Sequence, residues 1–366
     1  MLGSILVFVI VLSILILVHE LGHFFMAKRA GVLVEEFGIG LPPRILGKKI
    51  GETIYSINLL PFGGFVRLHG EGGPKTLKKP NRAFINKSKK ARAAIITAGV
   101  VMNFVLAVFA FGLVYSISGI PKETENVKIV DIRAVSPAQE AGLLVGDVVR
   151  KVNDEEVTSV GRFIESVELH KGEEVTLFVE REGVFESIRV TPRQEPPEGE
   201  GPLGVAITSV ETYFPPLWQR PFIGVYYGFQ EALFWGRTVI FGLATLFSQL
   251  LSGEVPKDIA GPVGIFAITS QVTQMGVLAV INFVGILSVN LAILNIIPFP
   301  ALDGGRLAFL ALESVIGKKV LPKIEGVVHA VGMVILLTLL LAITIHDIRR
   351  LISAGGITGF IDSILR

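Results

Sequence analysis

The chain has 366 residues, 51% of them hydrophobic and only 18% charged, where a soluble domain carries about 25% charged residues. That excludes a disordered chain and a wholly soluble one, leaving a membrane protein with a soluble part attached. With no cysteine, disulfides, thiolate metal sites and cysteine nucleophiles are excluded as well, and the net charge of +2 carries no message until it is divided along the chain.

The first element is an apolar run, Leu2 to Val18, 17 residues without a charge. Apolar residues resume from Leu21 to Ala27, so a transmembrane helix is expected over 1–30. A signal peptide is the alternative, but the run lacks a basic leader and is longer than a usual h-region. Residues 31–92 follow as a basic loop. From Phe24 to Arg92 there are 14 Lys/Arg and 4 Asp/Glu, a net of +10. A short loop this basic belongs on the cytoplasmic side. Within it, Tyr55 to Leu68 is β-type sequence interrupted by Pro61 and the pair Gly63-Gly64. A membrane-associated β-hairpin is expected there, with an edge that can pair with an unwound peptide.

Ala93 to Ile120 is a second uncharged run of 28 residues, a transmembrane helix over 93–120. Gly119 to Gln219 then carries 10 Lys/Arg and 19 Asp/Glu, a net of −9, and is expected outside the cytoplasm. Short β-type runs at Val127–Val130, Val148–Val152, Val175–Val179 and Ile188–Val190 alternate with turn signals. Helical stretches are expected after Ser136 and over Val160–His170. The result is a small α+β domain with its linker over 121–210. Residues 211–258 hold an aromatic segment, Pro221 to Leu251, in which Glu231 and Arg237 make a simple span doubtful. It is expected as an interfacial or re-entrant helix on the outer side.

Ile259 to Leu302 is uncharged for 44 residues, room for a re-entrant piece and a third transmembrane helix over 259–305. A cytoplasmic loop over 306–326, a fourth transmembrane helix over 327–346 and a C-terminal tail over 347–366 complete the chain. The fold class expected is a polytopic α-helical membrane protein with four transmembrane helices.

Two motifs carry chemistry. His19-Glu20-Leu21-Gly22-His23 places two imidazoles at i and i+4, on one face of a helix, where both can reach one ion. Glu20 stands where it can activate a water. Ionisable groups inside an apolar span are costly, and functional by default. Two histidines are one ligand short of a catalytic zinc site. The remaining four, His69, His170, His329 and His346, are scattered and read as ordinary surface or interface residues. The second motif is Asn295-Ile-Ile-Pro298-Phe-Pro300-Ala-Leu-Asp303-Gly-Gly305. Its prolines interrupt a helix at membrane depth, which is tolerated only inside protein or beside a cavity. Asp303 is therefore the candidate third ligand.

An intramembrane HExxH followed far downstream by NxxPxPxLDG resembles the site-2 protease family of intramembrane zinc metalloproteases, the bacterial sigma-E-regulating branch above all. The resemblance implies zinc held by His19, His23 and Asp303, with Glu20 as general base. It implies that Asn295 lies near the reacting bond, and that Gly63, Gly64, Phe65, Val66, Pro298 and Pro300 belong to the substrate-binding set. Asn103 also matches a family position, although Gly99 is followed by Val100 where the family often has Gly-Pro. Ser136-Pro137-Ala138, Ala141-Gly142-Leu143 and Gly146-Asp147 resemble a bacterial PDZ domain, which takes a strand or a C-terminus at a sheet edge.

The reaction implied is peptide-bond hydrolysis in a single-span membrane protein, such as an anti-sigma factor already cut on the outer side. The implied partners are that substrate, a PDZ ligand or substrate ectodomain, and the lipid bilayer, with no nucleic acid. The chain is expected in the cytoplasmic membrane, with its N-terminus, PDZ domain and C-terminus outside and its active site towards the cytoplasm. Three rivals differ in chemistry. A non-enzymatic adaptor would hold no zinc. A transporter would use His19, Glu20 and Asp303 as an ion relay. A CAAX-type protease would need a glutamate ligand, for which only Glu313 and Glu325 are placed near a span.

Overall fold

The computed structural model describes residues 2–71, 79–253, 261–317, 322–356 and 359. It divides into two compact units, residues 1–117 with 217–366, and residues 118–216.

The first unit opens with α1 (Leu2–Arg29), apolar nearly all round, as a helix in lipid must be. It ends on Lys28 and Arg29, cations that suit a helix C-terminus. Strands β1 (Val34–Ile50) and β2 (Thr53–Leu68) follow, then α2 (Lys89–Ser118). Instead of the one simple hairpin expected, the two strands fold into four short segments. Val34–Ile39 lies between Gly64–Leu68 on one side and Ile54–Ile57 on the other, while Arg44–Ile50 pairs with Thr53–Asn58. The bends fall around Gly40 and Gly63, both at positive φ. Two polar side chains explain why the sheet closes this way. Buried Glu36 meets Arg44 at 2.7 Å and Arg67 at 3.2 Å, one cation from each outer segment. Asn58 donates to the carbonyls of Ile39 and Gly40 across the bend.

In the second unit, β3 (Ile120–Ile132), β4 (Val148–Val152), β6 (Val175–Arg181), β7 (Val184–Val190) and β8 (Val205–Tyr213) form a sheet ordered β7-β6-β4-β3-β8, with the short β5 (Glu155–Glu156) on β4. Two helices pack on it, α3 (Pro137–Glu140) and α4 (Val160–Leu169). Each begins at a serine whose side chain accepts from a backbone N–H, Ser136 from Gln139 and Ser159 from Arg162. Val127, Ile129, Val149, Leu177, Val179 and Phe163 form one dry core.

Back in the first unit, α5 (Arg220–Leu251) packs Ala232 and Trp235 against Ala107 and Phe111 of α2 and Val289 of α7 (Val277–Ile296). The carboxylate of Glu231 is satisfied there by the Tyr115 hydroxyl and the Trp235 N–H, each at 2.9 Å. That pairing is how a glutamate is accommodated on an apolar helix. The short helix α6 (Pro262–Gln274) precedes α7, with Gly276 at φ +105 as the break between them.

The loop expected at 306–326 is instead mostly helix, α8 (Asp303–Ile316). An acid in its first turn favours it, Leu310 and Glu313 turn inward one turn apart, and Gly317 closes it in the left-handed region. Buried Glu313 pairs with Arg92 of α2, and Arg306 with Glu71, so both ends of α8 are tied to the rest of the unit. The last helix, α9 (Pro322–Ser353), runs past the expected boundary at 346, so the proposed tail begins as helix. Residues 357, 358 and 360–366 of that tail lie outside the described residues. Four helices, α1, α2, α7 and α9, are long and apolar enough to cross a membrane. With the two sheets, they fit a membrane protein carrying an inserted α+β unit.

Candidate active site

α1 brings His19 and His23 to one face, their Nε2 atoms 3.1 Å apart. The turn after α7 delivers Asp303, whose Oδ2 lies 3.1 Å from His19 Nε2 and 3.2 Å from His23 Nε2. The three atoms form a nearly equilateral triangle, the one group of three or more potential metal ligands among the described residues. A tetrahedral ion with bonds of about 2.0–2.1 Å requires ligand atoms about 3.3 Å apart. The observed edges fit that ion. Asp303 Oδ2 is buried with no donor aligned on it, and a buried acceptor in that state calls for a cation.

The hydrogen bonds behind the histidines set their tautomers. His23 Nδ1 lies 2.8 Å from the Ile95 carbonyl, so it carries the proton and leaves Nε2 a lone pair. His19 Nδ1 lies 3.3 Å from the Asn103 side chain, whose Oδ1 is buried and unpartnered. Turning that amide by 180° lets Oδ1 accept from His19 Nδ1–H. Both Nε2 lone pairs then face the gap. Space for the imidazoles comes from α2. A Cβ at Gly99 would lie 2.4 Å from His23 Nε2 and 2.7 Å from His19 Cε1, and one at Gly22 would lie 2.2 Å from the Ala98 carbonyl oxygen. The two helices touch backbone to backbone here.

The triad lines a cavity of about 550 Å³ shared with Glu20, Asn295, Phe65 and Val66. Gly64 lies against Glu20, and Gly63 beside Ile16. The segment Gly64–Leu68 is thus at once a wall of the cavity and an edge of its sheet, and among the described residues no strand covers that edge. Of the expected substrate-binding residues, Asn295, Phe65 and Val66 are on the cavity wall, while Pro300 faces α9. Pro298 shapes the turn without lining the cavity. Glu313 is occupied by Arg92 and takes no part in the metal site.

Three residues to which the sequence assigns no role belong here. Gly99 makes room for the imidazoles, and Asn103 holds one of them. His329, read as an ordinary surface or interface histidine, lines the cavity and accepts the Ala301 N–H on Nδ1 at 2.9 Å. Elsewhere, His69 pairs with Glu35, and His170 Nδ1 bonds the Ser166 carbonyl of its own helix.

A membrane-type helical protein that converges two imidazoles, a carboxylate and a free glutamate on one cavity has the site of a metallopeptidase. The comparisons with known proteins agree. The model of Peptidase family M50 matches residues 7–339. Zinc metalloprotease RasP of Oceanobacillus iheyensis is 30% identical, over 95% of this chain and 99% of that one. The regulator of sigma-W protease RasP of Bacillus subtilis is 29% identical, over 95% and 99%. Among solved structures, the PDZ domain of an SdrC-like protein from Listeria monocytogenes is 18% identical, over 23% of this chain and 88% of that one. Its TM-score of 0.21 is too low to carry an argument about fold. This chain belongs to peptidase family M50 and is a metalloprotease.

Proposed function

We propose that the chain is an intramembrane zinc metalloprotease cutting a single-span membrane protein within or near its transmembrane segment. The observation that carries this is the triangle of His19, His23 and Asp303, sized for a tetrahedral ion and set among helices long enough to span a bilayer. Relatives named as zinc metalloproteases point to the same metal. When bound, zinc supplies Lewis acidity, polarising a carbonyl and making a water acidic enough to lose its proton near neutral pH. Glu20 takes that proton and passes it to the leaving amine. A helical substrate hides its carbonyls in its own hydrogen bonds and must unwind locally. The edge Gly64–Leu68 holds it extended by strand addition, and Asn295 holds the backbone near the reacting bond.

The basic loop supports a site towards the cytoplasm, with the N-terminus and residues 118–216 outside. We read those residues as a PDZ domain. In support, an apolar groove of about 190 Å³ runs between Phe163, Ile164 and Val167 of α4 and Val205 and Ile207 of β8, which ends the sheet. It would screen substrates by an extended terminus. A relative named as a regulator of sigma-W supports an anti-sigma factor as the substrate. α5 flanks the entry from the outer side. Cysteines placed at Gln219 and Gly253 should label from the same side with an impermeant reagent, and opposite labelling would overturn that topology. For the reaction itself, stripping zinc with a chelator should stop cleavage of a single-span substrate by the purified chain, and zinc added back should restore it. Full activity of the metal-free chain would refute the proposal.

A further inference from the structure

The turn that carries Asp303 is gripped by one face of α9. Gly332 lies against it so closely that a Cβ there would be 2.3 Å from Pro300 Cβ and 2.6 Å from its carbonyl oxygen. One turn earlier on the same face, His329 accepts the Ala301 N–H at 2.9 Å. Ala301 sits at φ +82, a left-handed conformation that costs a non-glycine residue about 1–3 kcal/mol and persists only where the surroundings hold it. Two residues on, the chain must deliver Asp303 Oδ2 to within 3.2 Å of two imidazoles. His329 is therefore a strut for the third metal ligand.

The same hydrogen bond fixes the ring's other nitrogen. An imidazole that accepts on Nδ1 is neutral and carries its proton on Nε2. That Nε2–H is buried and has no partner. It belongs to a residue lining both the metal cavity and an adjoining pocket of about 240 Å³ walled by Arg306, Glu71 and Phe309. A buried donor without an acceptor costs about 1–3 kcal/mol, so the ring is held here by what Nδ1 does and not by Nε2.

We propose that His329 is a positioning residue for the third metal ligand: Nδ1 accepts the Ala301 N–H and fixes the turn that carries Asp303. This rests on the reading above that His19, His23 and Asp303 hold zinc.

The test separates the two nitrogens. His329→Asn keeps an acceptor at the δ position and loses the ε donor. His329→Gln keeps a donor at the ε position and loses the δ acceptor. Zinc release to a chromogenic chelator, and kcat/KM on a single-span substrate, are measured on the purified full chain, with Val331→Ala as a control on an exposed face of α9. His329→Gln should release zinc ten- to a hundredfold faster, the range for removing a group behind a ligand. His329→Asn, which keeps the δ acceptor, should hold zinc and cleave like wild type. The proposal is overturned if both variants match wild type in both measurements. It is overturned equally if both lose zinc in step with a lowered Tm, as a mere packing residue would. The zinc arm needs no cleavage, so a chain that holds zinc but cuts nothing would sink the proteolytic reading and still decide the positioning role.

Discussion

Gly99→Ala adds one methyl group at the point where α2 meets the imidazoles of both His19 and His23. The new carbon would stand 2.4 Å from His23 Nε2 and 2.7 Å from His19 Cε1, where ordinary contact begins at 3.4 Å. Relieving the first overlap moves a ligand atom by about 1 Å, several times the roughly 0.2 Å tolerance of a metal–ligand bond. Overpacking of this kind costs about 1–3 kcal/mol, less than the stability of a typical fold, so the chain should still fold. Its zinc affinity should fall at least a hundredfold, about 2.8 kcal/mol. The assay is chelator competition on the purified chain, with Tm recorded beside it. Gly242→Ala is the control, since a Cβ there meets nothing within 4 Å. A Gly99→Ala chain that binds zinc and cleaves like wild type would show that the observed helix contact does not shape the site.

Asn103→Ala removes the partner of His19 Nδ1 and should weaken zinc binding ten- to a hundredfold by chelator competition, with Tm little changed. Ala301→Gly relieves the positive φ and should raise Tm or leave it unchanged, because strain of about 1–3 kcal/mol outweighs about 0.4–1 kcal/mol of added unfolded-state entropy. In the inserted unit, burial works to raise the Asp147 carboxyl, but hydrogen bonds from Arg181 and the Leu144 N–H pull it below its ordinary range. The stabilisation is complete above the unfolded-state value of about 3.9 and is lost as pH falls through the lower folded-state value. Amide exchange of β4 and β6 in the full chain should show that acid limb, and Asp147→Asn should flatten it.

The convergence of His19, His23 and Asp303 was legible because its signals are local. His19 and His23 share a face by helical period alone, and Asp303 stands out in a Pro-x-Pro-x-Leu-Asp-Gly break at membrane depth. Four strands of the inserted unit, β3, β4, β6 and β7, were legible for the same reason, as short β-type runs between turn signals, and its two helices from the stretches after Ser136 and over 160–170, whereas β5 and β8 were not. Gly99 was not, because a glycine in an apolar helix gives no sign of which side chain another helix presses against it. His329 stands 26 positions from Asp303 and becomes functional only through the packing of α9 on Pro300 and Ala301. The folding of β1 and β2 into four segments depends on the meeting of Glu36 with Arg44 and Arg67, which no periodicity reports. The helix α8 was hidden by Gly304-Gly305, which reads as a break and is in fact its first turn.

The most direct test of the account is cleavage by Glu20→Gln, with zinc quantified in the same preparation. Glu20 lines the cavity but is not one of the three converging ligands. The variant should therefore hold zinc at the wild-type stoichiometry and lose about 10²–10⁴-fold in kcat on a single-span substrate, the worth of a general base. A zinc-replete Glu20→Gln chain that cuts at the wild-type rate would contradict it.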